Sequence, residues 1–305
     1  MFTAQTGIFA LGDAAHGYFE FTLTPGTTAA ALVSAVADLR PPRTTVGGAN
    51  LVLGFRPELW RSVAPEAIPP EVHGFENDVR GPDGYVIPAT QADLIVWISA
   101  AAYDVVFDLG SEAVAALRSL ARLVREDTGW SYRHSRDLTG FEDGTENPTL
   151  YEAPEAALVP PGLPGAGGSV LLFQRWRHET AAWDALPTAA QEAIIGRTKP
   201  ASIEFEENAM PRDSHVARTK VKRDGAELKI FRRNVPYGTV TEHGTLFVGF
   251  SAEQDRLHRM LVQMAGADGG PRDALTRYAV ALTGSYYFVP AVQALRAFGT
   301  PEDDD

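Results

Sequence analysis

The stretch GFEDGTENP, Gly140 to Pro148, holds Glu142, Asp143 and Glu146 within five positions. Its glycines and proline mark it as turn or loop. Carboxylates gathered in a loop can ligate a metal or move a proton. The EF-hand pattern fails on spacing: with Gly144 as the turn glycine, Thr139 and Phe141 stand where acids or amides are needed, and Leu150 where a bidentate Glu belongs. A Mg²⁺ site using Asp143 stays open, though it has no second partner motif.

The histidines are His16, His73, His134, His178, His215, His243 and His258, and none forms H-x-H or HExxH. There is no G-x-S-x-G elbow, no Walker A loop and no G-x-G-x-x-G after a strand, so hydrolase, kinase-like and dinucleotide readings lose their support. A second segment stands out, MPRDSHVARTKVKRDGAELKIFRRNVPYG, Met210 to Gly238. It places His215 in a polar stretch and ends an apolar strand on Arg232 and Arg233. Strand alternation turns one arginine inward and the other outward. An inward guanidinium demands an anion, either a core acid or a site that holds or generates negative charge.

The elements that position these residues read as α+β. GYFEFTLTPG, ANLVLGF and ADLIVWISA read as strands, the last central because its apolar run is nearly continuous. TTAAALVSAVADL has helical spacing after a Thr cap, and SEAVAALRSLARLVRE (Ser111–Glu126) reads as an amphipathic helix with a Ser cap. The Pro- and Gly-rich segment 153–168 reads as a linker or long crossing loop. Beyond it, GSVLLFQRW, ELKIFRR and GTLFVGF read as strands, PTAAQEAIIG and SAEQDRLHRMLVQMA as helices. Each half runs roughly strand, helix, strand, strand, helix. This predicts two ferredoxin-like domains with antiparallel sheets, 1–152 and 169–305, of the dimeric α+β barrel type.

Composition bounds the function. The 305-residue chain is 45% apolar and 22% charged, with formal charge −12 and pI near 5.1, which argues against nucleic acid as a partner. With no cysteine there are no disulfides, zinc ribbons, iron–sulfur clusters, thiolate haem ligation or covalent c-type haem. The N-terminus does not read as a secretory signal, no apolar run is long enough to span a membrane, and the expected location is cytoplasmic. Glu302 to Asp305 reads as a solvated tail.

DLTGFEDGTENP, GGSVLLFQRW, IIGRTK, SHVARTKVKRDGAELKIFRRNVPYGT, HGTLFVGF and TGSYYFVP occur in the order and pattern of the dye-decolorising peroxidases, and the chain resembles their B-type branch over most of residues 130–290. The resemblance implies a haem b enzyme, one haem per chain held mainly by the C-terminal half. Hydrogen peroxide is then the acceptor and a bulky dye-like or phenolic molecule the reductant. It implies His215 as the iron ligand, Asp143 and Arg232 as the distal acid and arginine, and Asn234 where the branch has Asn or Ser. Phe247 looks like the phenylalanine over the distal haem face, with Thr245 on the same strand face and Leu246 turned away. Arg197 matches an arginine near a haem propionate, while Thr145, Glu146 and Asn147 cap the turn or lie near the propionates. The acid that should hydrogen-bond the iron-bound histidine is Asp273, unless a one-turn change of register puts Arg277 there.

A rival reading is a haem-handling protein with porphyrin or iron-release activity, which would not require Asp143 and Arg232 together. A nanocompartment cargo is not expected, because RAFGTPEDDD offers no apolar docking anchor. A homo-oligomer is expected by family analogy.

Overall fold

Strand β1 (Ala15–Leu23) alternates its side chains between two apolar environments, which is why it is buried along most of its length. It lies between β3 (Leu94–Ala100) and β4 (Ala121–Trp130), and β3 pairs in turn with β2 (Ala49–Phe55), all antiparallel. Strand β3 is fully buried and internal to the sheet, as its continuous apolar run predicts. The second half repeats the arrangement. There β5 (Ser169–His178) lies against β8 (His243–Ser251) on one side, and against β9 (Ala279–Ala281) and β10 (Ser285–Val289) on the other. The far edge of β8 carries β6 (Phe231–Arg232) and β7 (Val235–Gly238).

Two seams join the halves: Tyr237 of β7 pairs with Gly129 of β4, and Phe288 of β10 with Phe55 of β2. The sheet thereby closes into an antiparallel barrel, in the order β8–β7–β4–β1–β3–β2–β10–β5 and back to β8. At the first seam a Cβ on Gly129 would meet Val235 Cγ2 at 2.5 Å, so only glycine permits this approach. The structure is a computed structural model that describes residues 2–40, 48–133 and 135–300; the tail expected to be solvated and His134 lie outside the described residues.

Two apolar layers follow from strand alternation. Inside the barrel Tyr18 stacks on Trp97 and Phe173, with ring centroids 5.4 and 5.1 Å apart. Outside, Phe19, Phe21, Leu53 and Ile98 pack beneath α1 (Ala29–Ala37), capped by Thr28 as expected, and α2 (Tyr103–Leu117).

The predicted helix Ser111–Glu126 is wrong. The helix runs from Tyr103 to Leu117 behind Ala102, with no side-chain cap, and Ala121–Trp130 is β4. The misreading has a physical cause. The barrel interior holds charges here: Arg125 bonds Glu20 directly across the strand pair, and Asp127 lies 3.2 Å from Arg175. Charged residues on the inward face erase the period-two signal and leave a pattern that mimics an amphipathic helix.

The predicted strand ELKIFRR also breaks. Ala226–Glu227 pairs with Lys222–Arg223 in a small hairpin, and only Phe231–Arg232 joins the barrel before β7 begins. Segment 153–168 contains a one-turn helix, α3 (Ala153–Ala157). Its buried alanines pack on the barrel, and Ala252 N donates to Ala156 O.

Candidate active site

A cavity opens beside the C-terminal half of the barrel. One wall is the sheet face formed by Gln174, Trp176 and His178 of β5 and by Thr245 and Phe247 of β8. Those residues share a face because side chains alternate and because Thr245 pairs with Trp176 and Phe247 with Gln174. Leu246 points into the barrel core, as the alternation predicts. The opposite wall comes from the short helix α4 (His215–Thr219), the helix α5 (Gln254–Ala265) and Leu275.

His215 opens α4 behind Ser214, whose hydroxyl accepts from Ala217 N at 3.3 Å. Its Nδ1 lies 2.7 Å from Oδ2 of Asp273, a residue with no exposed surface. The other carboxylate oxygen accepts from Leu275 N at 2.9 Å, so the acid is fixed from both sides. Of the two candidates for this contact the geometry selects Asp273; Arg277 instead faces Asp213 at 3.9 Å. With Nδ1 engaged, Nε2 is the nitrogen left for the cavity.

The loop bearing Asp143 lines the cavity from Phe141 to Glu146. Gly140 and Gly144 have φ of +91° and +78°, values open to glycine, and these turn the loop on itself. Asp143 N donates to Ser135 O, and Asp143 Oδ1 accepts from Gly144 N at 2.7 Å. Asp143, Arg232 and Asn234 border this cavity and also a second one of roughly 720 Å³ lined by Asp13, His16, Tyr132 and Arg136. Among the described residues Asp143 and Arg232 form no ion pair with each other. Asn234 Oδ1 accepts from Val248 N at 3.0 Å, which locks its side chain to β8.

Asn147, expected at the cavity, is placed differently. Its amide accepts from Arg232 N at 2.9 Å and donates to Arg232 O at 2.8 Å, imitating a strand partner, and it borders the second cavity only. It clamps the acid-bearing loop to the strand that carries the arginine. Thr145 and Glu146 line the first cavity, as does Arg197, whose Nη2 donates to Glu146 at 2.5 Å and to Glu204 at 2.7 Å.

The expectation that the inward arginine must meet an anion is corrected. Arg233 is 7% exposed, and it donates to the carbonyls of Gly7 and Ile8 and lies 4.9 Å over the Trp97 ring. Carbonyl dipoles and an aromatic face replace the acid. Burial lowers its pKa despite the opposing pull of Tyr18 and Asp13.

Sequence reasoning passed over Asp137 and His178 on the cavity wall. Asp137 is only six residues before Asp143, and His178 continues the period-two series of Gln174 and Trp176 along β5, the one signal that pointed to it.

Residues 134–294 match the family model described as Dyp-type peroxidase, C-terminal. A dye-decolorizing peroxidase of Rhodococcus erythropolis is 34% identical over 258 residues, 83% of this chain and 75% of that protein. One from Mycobacterium tuberculosis is 34% identical over 81% of this chain and 74% of its own. Among solved structures, a haem-bound DypB variant from Rhodococcus jostii superposes with a TM-score of 0.90 at 32% identity, covering 98% of this chain and all of that one. The dye-decolorizing protein of V. cholerae gives 0.88 at 33% identity, over 96% and 99% of the two chains. Fold and cavity thus define a barrel enzyme with a histidine–carboxylate pair facing an acid and an arginine. The chain belongs to the Dyp-type peroxidase family, and it is a peroxidase.

Proposed function

We propose that this chain is a haem peroxidase that reduces hydrogen peroxide and oxidises bulky organic donors such as dyes or phenolics. The cofactor is haem b, and the donor set fits it. A nitrogen ligand is presented by His215 from a wall rich in apolar side chains, including Val216, Met260, Met264 and Leu275, as a porphyrin face requires. Arg197, 7% exposed, lines the same cavity, where a carboxylate of the cofactor would take the place of Glu146 beside it. The observation that carries the reading is the 2.7 Å His215–Asp273 contact in a cavity that also holds Asp143 and Arg232. A haem-handling protein has no use for that second pair.

Bound haem supplies the redox centre through which peroxide is reduced and the donor oxidised. The chain's own residues manage protons and charge around it. Peroxide must give up a proton at one oxygen and receive one at the other for water to leave, and the Asp143 carboxylate takes and returns that proton. Arg232 stabilises the negative charge as the O–O bond lengthens. Asp273 accepts from His215 Nδ1–H, which fixes the tautomer and makes Nε2 more basic. Asn147 and Asn234 position the arginine strand.

The two halves, 1–152 and 169–305, are read as ferredoxin-like units joined through 153–168. Support comes from the matching strand orders β4–β1–β3–β2 and β10–β5–β8–β7. A homo-oligomer and a cytoplasmic location complete the proposal. Exposed Tyr103 and Phe107, one turn apart on α2, support the first. Among the described residues no helix is long and apolar enough to cross a membrane.

Haem titration of wild type and His215→Ala tests the assignment. The wild type should take up haem with a Soret band characteristic of histidine ligation, and the variant should lose or alter that band. An identical band in the variant would overturn His215 as the ligand.

A further inference from the structure

The peroxidase reading leaves a proton requirement that Asp143 does not meet. Reduction of one H₂O₂ to two H₂O takes up two electrons from the donor and two protons besides the one moved between the peroxide oxygens. Where the donor gives electrons only, both protons must come from solvent and reach the interior of the haem cavity.

Asp137, Thr245 and His178 are arranged for this. Thr245 Oγ1 lies 3.1 Å from His178 Nε2 and is in hydrogen-bond contact with Asp137 Oδ2. The other oxygen of Asp137 accepts from Thr139 N at 2.8 Å. Burial opposes ionisation of Asp137. His178 beside it, and the donors of Thr245 and Thr139, outweigh that and hold the carboxyl below the usual range. An ionised Asp137 only accepts, so the Thr245 hydroxyl donates to it and its lone pair accepts from His178 Nε2–H. At rest the hydrogen bonds run from His178 through Thr245 to Asp137, and carrying a proton the other way reverses them. This hydrogen-bonded chain has two ends: Asp137 and Thr245 border both cavities, while His178 borders the haem-side cavity alone. The second cavity reaches the surface at Leu11 and Ser131, both exposed. The charged groups that share its lining are Asp13, Arg136, Asp143, Arg232 and Arg233.

We propose that Asp137, Thr245 and His178 form a proton relay that carries solvent protons from the polar cavity into the haem cavity. In one passage the chain starts with these hydrogen bonds reversed, Asp137 protonated from the second cavity and His178 carrying its hydrogen on Nδ1. Asp137 gives its Oδ2 proton to Thr245 Oγ1 as the hydroxyl's own proton passes to the bare His178 Nε2, and His178 releases its Nδ1 proton into the haem cavity. Asp137 is left as the carboxylate and His178 with Nε2–H, one proton has moved, and a turn of the imidazole and hydroxyl readies the chain for the next. These are positioning and relay residues, distinct from Asp143 and Arg232.

The test uses haem-loaded wild type, Thr245→Val, Thr245→Ser and His178→Gln, with ferrocyanide as a donor that carries no transferable proton. Thr245→Val keeps the shape and removes the hydroxyl, while glutamine can still donate a hydrogen bond but cannot carry the proton. Turnover of Thr245→Val and His178→Gln should fall on the order of 10-fold to 10²-fold, the lower range for a positioned proton transfer, and Thr245→Ser should recover it. The spectral response of all four to one equivalent of peroxide should persist. In ¹⁵N-detected imidazole spectra the His178 Nε2–H should be protected from exchange in wild type and Thr245→Ser, and lose that protection in Thr245→Val. Wild-type turnover in both Thr245→Val and His178→Gln, or failure of serine to rescue, would overturn the relay. Absence of any peroxide response in the wild type would instead bring down the peroxidase reading on which it rests.

Discussion

At the scale of single residues the site divides its labour between two walls. In the proposed function Asp143 moves a proton and Arg232 holds charge, so the two substitutions should fail in different ways. Asp143→Ala should slow the reaction with peroxide by about 10²–10⁴-fold, the range for positioned proton transfer. Arg232→Ala should cost at least about 10²–10³-fold, as for loss of one charge-stabilising donor. Stopped-flow rates against peroxide concentration check both; an arginine variant near wild type would contradict the assignment. On the other wall, Asp273→Asn should weaken the anionic character of the His215 ligand. Activity should fall about 10–100-fold and the iron reduction potential should move to more positive values in a spectroelectrochemical titration. The motif residues His215, Asp143 and Arg232 were legible because their spacing follows a family pattern. The function of Asn147 was not, since an amide that clamps Arg232 from 85 positions away leaves no local trace.

At the scale of elements, β4 shows why pattern reading fails inside a small barrel. Strands with apolar interiors, such as β3, announce themselves, whereas β4 turns Arg125 and Asp127 inward to meet Glu20 and Arg175. These buried charges also set the pH response of the fold. Burial is the main cause that raises Asp127 to about 6, against the pull of Arg175. The folded state therefore binds a proton that the unfolded state has released, and stability falls as pH rises from about 4 to about 6. Burial, with Arg233 beside it, lowers His16 to about 4, so in the same window stability rises with pH. The two slopes oppose each other, each on the order of 1.4 kcal/mol per pH unit at most. Urea unfolding from pH 4 to 6 should be nearly flat on this account. Asp127→Asn should expose the rising slope and His16→Gln the falling one; identical profiles for both variants would contradict it. Gly129 gives a second check. A valine there overpacks the seam against Val235, and should cost about 1–3 kcal/mol in the same assay.

At the scale of the molecule, closure of the barrel brings the chemistry together. The acid loop follows β4 in the first half, the arginine lies on β6 in the second, and the seam between β4 and β7 sets them side by side. An α+β fold with antiparallel sheets of barrel type was legible from the alternation of strands and helices and the family pattern, but the strands that meet at the seams were not, because each seam rests on a single bridged pair. The central claim is that this cavity makes the chain a haem peroxidase, and one measurement addresses it most directly. The haem-loaded protein should be mixed with one equivalent of hydrogen peroxide and its absorbance followed, alongside Asp143→Ala and Arg232→Ala. A rapid shift of the Soret band in the wild type that reverses on adding a reducing dye, and that is slowed in both variants, is the predicted result. A haem spectrum indifferent to peroxide would contradict the account.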